Sequence, residues 1–359
     1  MIFLLIFVSS AICYLAVPPV INLARKYGLV DNPKTRFHPA HTHKGIIPRA
    51  GGLPIFIGIL IPSIIFFPLS QQIVSIIIAS AILVFVGLWD DKRDRSPYVR
   101  LLTNSLAAAT VIVAGINIPY ITNPFGGILN LDRWIININI FGWNMPIIFW
   151  SGFITFIWII WLTNIIGWSG GVDGQLPGFV SISAFIIGLL SLRFAREDPN
   201  QIYVTMLSFI TAGAFLGFLP WNFFPQKMMP GYGGKTLAGF ILAVLSILSF
   251  SKLGTAILVL AVPITDAAVM FLKRLISGKS PVWATSEHLH HHLLYLGWSK
   301  RKIAVFYWII SAVAGTIALF LNSRQKIFVS VLMLIVIFGF IFWINLIVKI
   351  TVGDNNSSE

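Results

Sequence analysis

Charged residues are scarce in this chain, and acidic residues are the scarcest. Only 10% of the 359 residues are charged, whereas 57% are hydrophobic, and the mean hydropathy is +0.87. This composition excludes an ordinary soluble globular domain and indicates a polytopic membrane protein. The single cysteine, Cys13, excludes an intramolecular disulfide and a cysteine-cluster metal site.

Long apolar segments divide the chain into eleven candidate spans. Most approach the roughly 20 residues that a helix needs to cross a bilayer, and continuous hydrophobicity favours helices over an alternating membrane barrel. The first segment has no basic flank or small-residue cleavage site, so we expect a retained span. The segments are 1–22, 52–69, 72–89, 101–118, 146–166, 176–192, 202–219, 236–251, 254–272, 303–321 and 327–348. We therefore predict an all-α membrane protein with ten or eleven transmembrane helices, a single domain over 1–350 and a polar tail over 351–359 that is disordered from Asp354 to Glu359.

Basic residues are distributed unevenly between the predicted loops. If the first loop is cytoplasmic, 19 of the 25 Lys and Arg residues lie on that side, together with all seven histidines. The positive-inside rule then places the N-terminus outside and the C-terminus in the cytoplasm. The net charge of +13 follows from these loops, which attract anionic headgroups and phosphorylated substrates. No separate basic domain is visible, so we expect no nucleic acid partner.

Three of the 12 acidic residues fall within five positions, at the end of the third apolar segment. On a helix, Asp90 and Asp94 share one face and Asp91 lies about 100° away. Carboxylates at a membrane boundary suit Mg²⁺, which binds through one or two of them and keeps positions open for substrate phosphates. The alternative is a solvated helix end whose charge is balanced by the basic residues around it.

Four histidines in five positions, His288 and His290 to His292, form a second cluster. They could chelate a transition metal, donate hydrogen bonds to phosphate oxygens, or lie by chance in a solvated loop. Phosphate binding is favoured because no cysteine accompanies the tract. Asp266, inside the ninth segment and about two turns before Lys273 and Arg274, is either a buried group that links helices or a residue that supports the groups of a site.

Two glycine-rich stretches complete the candidate motifs. Residues 164–174 contain Asn164 and Asp173, and either offer backbone N–H groups to a ligand or form a turn between helices. Residues 231–236 end in Gly-Lys-Thr, but Met229 stands where a nucleotide phosphate loop requires glycine and no strand is predicted before it. A nucleotide hydrolase is therefore excluded, although glycines and Lys235 before a helix could still cradle a phosphate.

In their order along the chain, these motifs resemble those of the polyprenyl-phosphate N-acetylhexosamine-1-phosphate transferases, membrane enzymes that start bacterial cell-envelope glycans. The resemblance covers nearly the whole chain. The His-Leu-His-His form and residues 262–266 are more similar to the N-acetylglucosamine branch than to the muramoyl-pentapeptide branch. The residues that carry the resemblance are 30–33, 48–53, Asp90, Asp91, Ser96, Pro97, Arg100, 164–174, Ser280, Pro281 and 288–291.

The resemblance implies a transfer in which undecaprenyl phosphate attacks the β-phosphorus of a UDP-sugar at the inner face of the bacterial cytoplasmic membrane. UMP leaves, and a polyprenyl-diphosphate sugar remains in the bilayer. Mg²⁺, with Mn²⁺ as an alternative, and basic residues would neutralise the two anionic substrates. A phosphate monoester has a second pKa near 6, so a general base contributes little. A homodimer is left open.

The resemblance also implies the residues of the site. Asp90, Asp91 and Asp173 would hold the metal, with Asp173 on the nucleotide side, and His290 and His291 would hold the diphosphate as further catalytic residues. Arg100 would clamp a phosphate. The full substrate-binding set is Arg49, Asp94, Arg100, Asn164, Lys235, His288 and His292.

Four positions depart from the family pattern. Relatives commonly carry Asn at the Gly167 position, Asp at the Gly170 and Tyr232 positions, and Ser at the Lys235 position. The site thus becomes three charge units more positive, and we expect Lys235 to contact a phosphate directly. The alternatives are a muramoyl-pentapeptide-type transferase or a lipid-phosphate-binding paralogue without activity. A transporter would need discontinuous helices and mid-membrane charges, which Asp266 alone could supply.

Overall fold

The computed structural model describes residues 2–34, 43, 45–132, 135–140, 143–249, 252–278 and 287–356, with side chains described except at 136–140, 143–147, 252 and 348–356. The predicted motif residues Ser280 and Pro281, and the histidines His38 and His41, lie outside these ranges. The helices are α1 (Leu4–Lys26), α2 (Gly52–Phe66), α3 (Gln71–Arg93), α4 (Pro97–Val113), α5 (Phe149–Ser169), α6 (Gln175–Phe194), α7 (Gln201–Asn222), α8 (Gly231–Leu248), α9 (Lys252–Val259), α10 (Ala261–Ile276), α11 (Leu289–Tyr295), α12 (Lys300–Phe320) and α13 (Ser323–Asn356).

Six short strands form three antiparallel pairs within the described residues. They are β1 (Val30–Asp31) with β2 (Ile47–Pro48), β3 (Tyr120–Thr122) with β4 (Ile128–Asn130), and β5 (Ile135–Ile140) with β6 (Trp143–Ile148). All other secondary structure in the described residues is helical. The prediction of an all-α membrane protein is therefore confirmed.

Each of the eleven predicted apolar segments coincides with a helix or a helix pair. Eight described helices are long and apolar enough to cross a membrane, and α9 and α10 form a further candidate span bent by 83°. The shorter apolar helices α2 and α4 account for the remaining two segments. The helix α13 continues to Asn356, so the first three residues of the tail predicted to be disordered are helical. The side of the membrane on which each terminus lies stays a prediction.

The turn between α3 and α4 directs functional side chains back towards each other. Asp94 ends α3 in the left-handed region with φ of 38°, and its N–H donates to the carbonyl oxygen of Asp90 at 2.8 Å. Ser96 then caps α4 by accepting from the N–H of Val99, with Pro97 at the first helical position. The tight reversal brings the first turns of α4 beside the end of α3.

Helix α8 lies at the centre of the bundle and packs against α2, α3, α5, α6, α7 and α9. Its first turns approach α2 and α3 backbone to backbone. A Cβ atom on Gly87 would lie 2.3 Å from the Cα of Gly233, and one on Gly52 would lie 2.5 Å from the nitrogen of Gly234. Gly233 and Gly234 thus serve close helix packing, and the expectation that glycines of this stretch cradle a phosphate stays a prediction.

Candidate active site

Polar side chains from distant parts of the chain meet at one end of the bundle, which we call the site end. Here α3, α5 and α7 end, and α2, α4, α6, α8 and α12 begin. Backbone hydrogen bonds join the segments, since Met229 donates to Pro48 at 2.8 Å and Gly51 donates to Met229 at 3.0 Å. The order and direction of the helices thus bring motifs that are distant in the sequence together at this end of the bundle.

Asp90 is held by Arg100 in a two-pronged ion pair. Arg100 Nε lies 2.7 Å from Oδ1 of Asp90, Arg100 Nη2 lies 2.9 Å from Oδ2, and the N–H of Arg95 donates to Oδ1 at 3.1 Å. Asp90 is buried, whereas Asp94 is exposed and lies 3.6 Å from Arg100. Arg100, which was predicted to bind a phosphate, is therefore paired with the carboxylate of Asp90 in this structure.

Asp91 joins three segments of the chain. Its Oδ1 lies 3.1 Å from Arg49 Nη2 and accepts from the N–H of Tyr232 at 2.9 Å. Gly231, with φ of +67°, lies so close that a Cβ there would be 2.1 Å from Oδ2 of Asp91. Glycine is required at this position, because any side chain would collide with the carboxylate.

Tyr232 covers the pair formed by Asp90 and Arg100. The guanidinium carbon of Arg100 lies 5.0 Å from the centre of the tyrosine ring, within the range of a cation–π contact. The tyrosine hydroxyl lies 3.4 Å from the carbonyl oxygen of Arg100 and from Oδ1 of Asn104. Sequence reasoning noted Tyr232 only as a departure, and the structure places it in direct contact with the predicted site.

Asp173 is paired with Lys300, which sequence reasoning treated only as a basic loop residue. Lys300 Nζ lies 2.9 Å from Oδ1 of Asp173, and the N–H of Gln226 donates to Oδ2 at 3.3 Å. The sequence does not indicate that Lys300 is the partner of Asp173, because 127 residues separate them.

The stretch before α6 is a turn whose backbone N–H groups donate hydrogen bonds to side chains of the protein. The N–H groups of Val172 and Gly174 donate to Gln175 Oε1 and Asn222 Oδ1. At Val172 and Gly174, the structure therefore agrees with the interpretation of this stretch as a turn between helices. Asn164 donates its side-chain amide to Ile160 within α5, and no described hydrogen bond links Asn164 to the carboxylates.

The histidine tract is anchored from behind by Asp266. His288 Nδ1 donates to Oδ2 of Asp266 at 3.0 Å, and the N–H of Leu289 donates to Oδ1 at 2.8 Å. Asp266 therefore fulfils both roles left open by the sequence, since it links α10 to α11 and orients the tract. His290 lies against Gly171, where a Cβ would come within 1.8 Å of His290 Nε2.

The environment of His290, His291 and His292 favours the neutral form of their imidazoles, because burial lowers each pKa. Burial, reinforced by the neighbouring histidines, lowers the pKa of His290 well below its ordinary 6.5. The same causes lower the pKa of His291 to about 4, and burial also lowers that of His292. In the described part of the chain, His290 Nδ1 and the Nε2 atoms of His291 and His292 are buried without a hydrogen-bond partner.

Lys235 interacts electrostatically with both the carboxylates and the histidine tract. It is half-buried in the first turns of α8, where Asp91 attracts its charge and Arg49 and Arg100 repel it. Its charge also acts on His290 and His291. Among the residues that the structure describes, no carboxylate lies within ion-pair distance of its ammonium group.

The predicted metal ligands do not fit a divalent ion in this arrangement. Asp90, Asp91 and Asp173 each already have a basic partner, and Mg²⁺ demands nearly octahedral oxygen coordination. Within the described ranges, no three His, Cys, Asp or Glu side chains converge in a way that could hold a metal.

Fold and site together define a multi-pass membrane protein with a buried, charged site at one end of its helical bundle. A family model described as glycosyl transferase family 4 matches residues 73–250. The chain is 28% identical to a probable undecaprenyl-phosphate N-acetylglucosaminyl 1-phosphate transferase of Bacillus subtilis (strain 168), over 96% of this chain and 91% of the relative. It is 27% identical to a decaprenyl-phosphate N-acetylglucosaminephosphotransferase of Mycobacterium tuberculosis (strain CDC 1551 / Oshkosh), over 88% and 82%.

A phospho-N-acetylmuramoyl-pentapeptide-transferase of Staphylococcus haemolyticus (strain JCSC1435) is 26% identical over 90% of this chain and 99% of that relative. The matched family model and these relatives support the resemblance to the polyprenyl-phosphate N-acetylhexosamine-1-phosphate transferases that the motifs predicted. These relatives are phosphosugar transferases, which supports the same kind of reaction for this protein.

Proposed function

We propose that this protein transfers N-acetylglucosamine 1-phosphate from a UDP-sugar to undecaprenyl phosphate at the cytoplasmic face of a bacterial inner membrane. An oxygen of the lipid phosphate attacks the β-phosphorus, the bond from that phosphorus to the bridging oxygen breaks, and UMP leaves with the bridging oxygen. The observation that carries the proposal is the convergence of Arg49, Arg100, Lys235 and the neutral histidine tract at one end of a membrane bundle.

The chain's own residues can be assigned to parts of this reaction. Positive charge from Lys235 and Arg49 reduces the repulsion between two anionic substrates. His290 and His291 donate neutral N–H groups to phosphate oxygens, while Asp266 holds the tract in place. Asp90 and Asp91 orient the arginines, and no step is assigned to a divalent ion because these carboxylates are already engaged.

The test is UMP release by detergent-solubilised protein supplied with undecaprenyl phosphate and a panel of UDP-sugars. UDP-N-acetylglucosamine is expected to give the highest rate, and a muramoyl-pentapeptide donor tests the other branch of the family. Added UMP should drive the reverse reaction, since one phosphoanhydride replaces another. His290→Ala serves as the inactive control, and UMP release that is independent of the lipid phosphate would contradict the proposal.

A second candidate function is binding of a lipid phosphate without transfer. It is favoured by one observation, namely that Arg100 and Arg49 occupy both carboxylates of the Asp90–Asp91 pair. This candidate predicts saturable binding of undecaprenyl phosphate and no UMP release with any donor of the panel.

A further inference from the structure

The carboxylates of the site end are neutralised within the protein. Asp90, Asp91 and Asp173 are each at most 5% exposed, and each lies within 3.1 Å of a basic nitrogen. A divalent cation would have to displace arginine or lysine from a buried pair, which leaves a cation without compensation. The site therefore disfavours a second positive ion at these carboxylates.

Lys235 carries a positive charge that these ion pairs do not match. Arg49, Arg100 and Lys300 are matched by the three carboxylates, whereas Lys235 has no carboxylate within ion-pair distance among the described residues. A lysine in a half-buried position loses hydration without gaining a partner, and such an arrangement is costly unless an anion completes it. Lys235 thus indicates where an anion binds.

Buried nitrogen atoms without partners belong to residues that interact electrostatically with this charge. Arg49 Nη1, His290 Nδ1 and His291 Nε2 are buried and have no hydrogen-bond partner in the described part of the chain. A buried polar group left unpaired is costly, so several such groups near Lys235 point to a ligand rich in acceptor oxygens. A transition metal on the same histidines is disfavoured, because the Lys235 ammonium would repel it.

We infer that Lys235, Arg49 and the tract of His290 and His291 bind the diphosphate of a nucleoside diphosphate without any divalent cation. The lysine supplies the charge that a metal would otherwise bring, and the neutral imidazoles and the guanidinium supply directional hydrogen bonds. This inference rests on the proposed function for the identity of the donor. Its novelty lies in assigning charge neutralisation to the chain's own residues.

The experiment measures UDP binding to the full-length protein in detergent by calorimetry, in EDTA and in Mg²⁺. Wild-type affinity is expected to agree within about twofold between the two conditions. Lys235→Ala should weaken binding at least about tenfold, the loss expected for one charged hydrogen bond, and Lys235→Arg should restore most of it. Lys302→Ala is the matched control, because Lys302 is exposed at the start of α12, and it should bind UDP like the wild type.

Three results would overturn the inference. These are UDP binding that requires Mg²⁺, unchanged binding by Lys235→Ala, and uridine binding as tightly as UDP. Thermal unfolding without ligand checks that Lys235→Ala is folded, and competition by inorganic pyrophosphate supports a diphosphate site. If UDP binds in EDTA as expected but no donor yields UMP, the proposed transfer fails while the metal-free diphosphate site stands.

Discussion

The two ends of the helical bundle hold their charges in different ways. At the site end, buried carboxylates are paired with Arg49, Arg100 and Lys300. At the opposite end, a cavity of about 290 Å³ is lined in part by Asp198, which accepts hydrogen bonds from the N–H of Asn200 and the amide of Gln201. Arg193 and Lys326 there donate to the neutral oxygens of Leu319 and Thr255.

The difference supports the proposal that the chemistry takes place at the site end. Replacing a buried ion pair by apolar residues is often neutral or stabilising, so a concentration of such pairs is weak evidence for stability and stronger evidence for function. The opposite end has an open cavity, and Asp198, Arg193 and Lys326 there form hydrogen bonds to neutral groups. The unmatched charge of Lys235 therefore supports the proposal that the substrates bind at the site end.

The largest effect is expected from Arg49→Ala. This change leaves the buried Asp91 carboxylate without its cation, and breaking a buried pair in this way costs on the order of 3 kcal/mol. The free energy of unfolding in detergent measures the loss. The double variant Arg49→Ala with Asp91→Asn should recover much of it, and a single variant as stable as the wild type would refute the pairing as a stabilising contact.

A smaller effect on stability but a clear one on activity is expected from Asp266→Ala. Without this carboxylate, His288 and the first turn of α11 lose their anchor, and misplacement of a binding group by about 1 Å can cost roughly a hundredfold in rate. We expect kcat/KM for UMP release to fall about tenfold to a hundredfold, with Asp266→Asn recovering part through the N–H of Leu289. Equal activity of all three proteins would show that the anchor has no role in positioning.

Hydrophobic segments are what the sequence predicts best, because each span needs a long apolar run whatever its neighbours are. All eleven segments are helical, and Asp90, Asp91, Arg49 and Arg100 do meet as the resemblance implied. The partner of each carboxylate could not be predicted, since pairs such as Asp173 with Lys300 depend on how helices distant in sequence pack. The packing role of Gly233 also depends on a distant helix. From the sequence alone, a glycine near a lysine is equally typical of a phosphate-binding loop and of a close contact between helices.

A moderate, pH-dependent effect is expected at His291. Its pKa is lowered to about 4 in the folded protein, against an ordinary value of 6.5. Between these values the unfolded chain binds a proton that the folded chain does not, so stability falls as the pH decreases from 6.5 towards 4. Thermal unfolding of His291→Gln across this range should show a shallower dependence on pH than the wild type. Identical slopes would contradict the shift.

The smallest effect is expected at the opposite end, from Arg193→Ala. Arg193 donates to the carbonyl oxygen of Leu319 in an exposed contact, and surface changes of this kind usually stay within about 0.5 kcal/mol. UMP release and UDP affinity should equal those of the wild type. A loss of activity in this variant would contradict the proposal that the activity depends on the site end and not on the opposite end.

The most direct measurement compares the rate of UMP release from UDP-N-acetylglucosamine and undecaprenyl phosphate in EDTA with the rate in Mg²⁺. Because Lys235 and Arg49 supply the neutralising charge, the two rates are predicted to agree within about twofold. A fall of about a hundredfold or more in EDTA, the size expected when a metal's several kcal/mol of charge stabilisation are removed, would contradict the account.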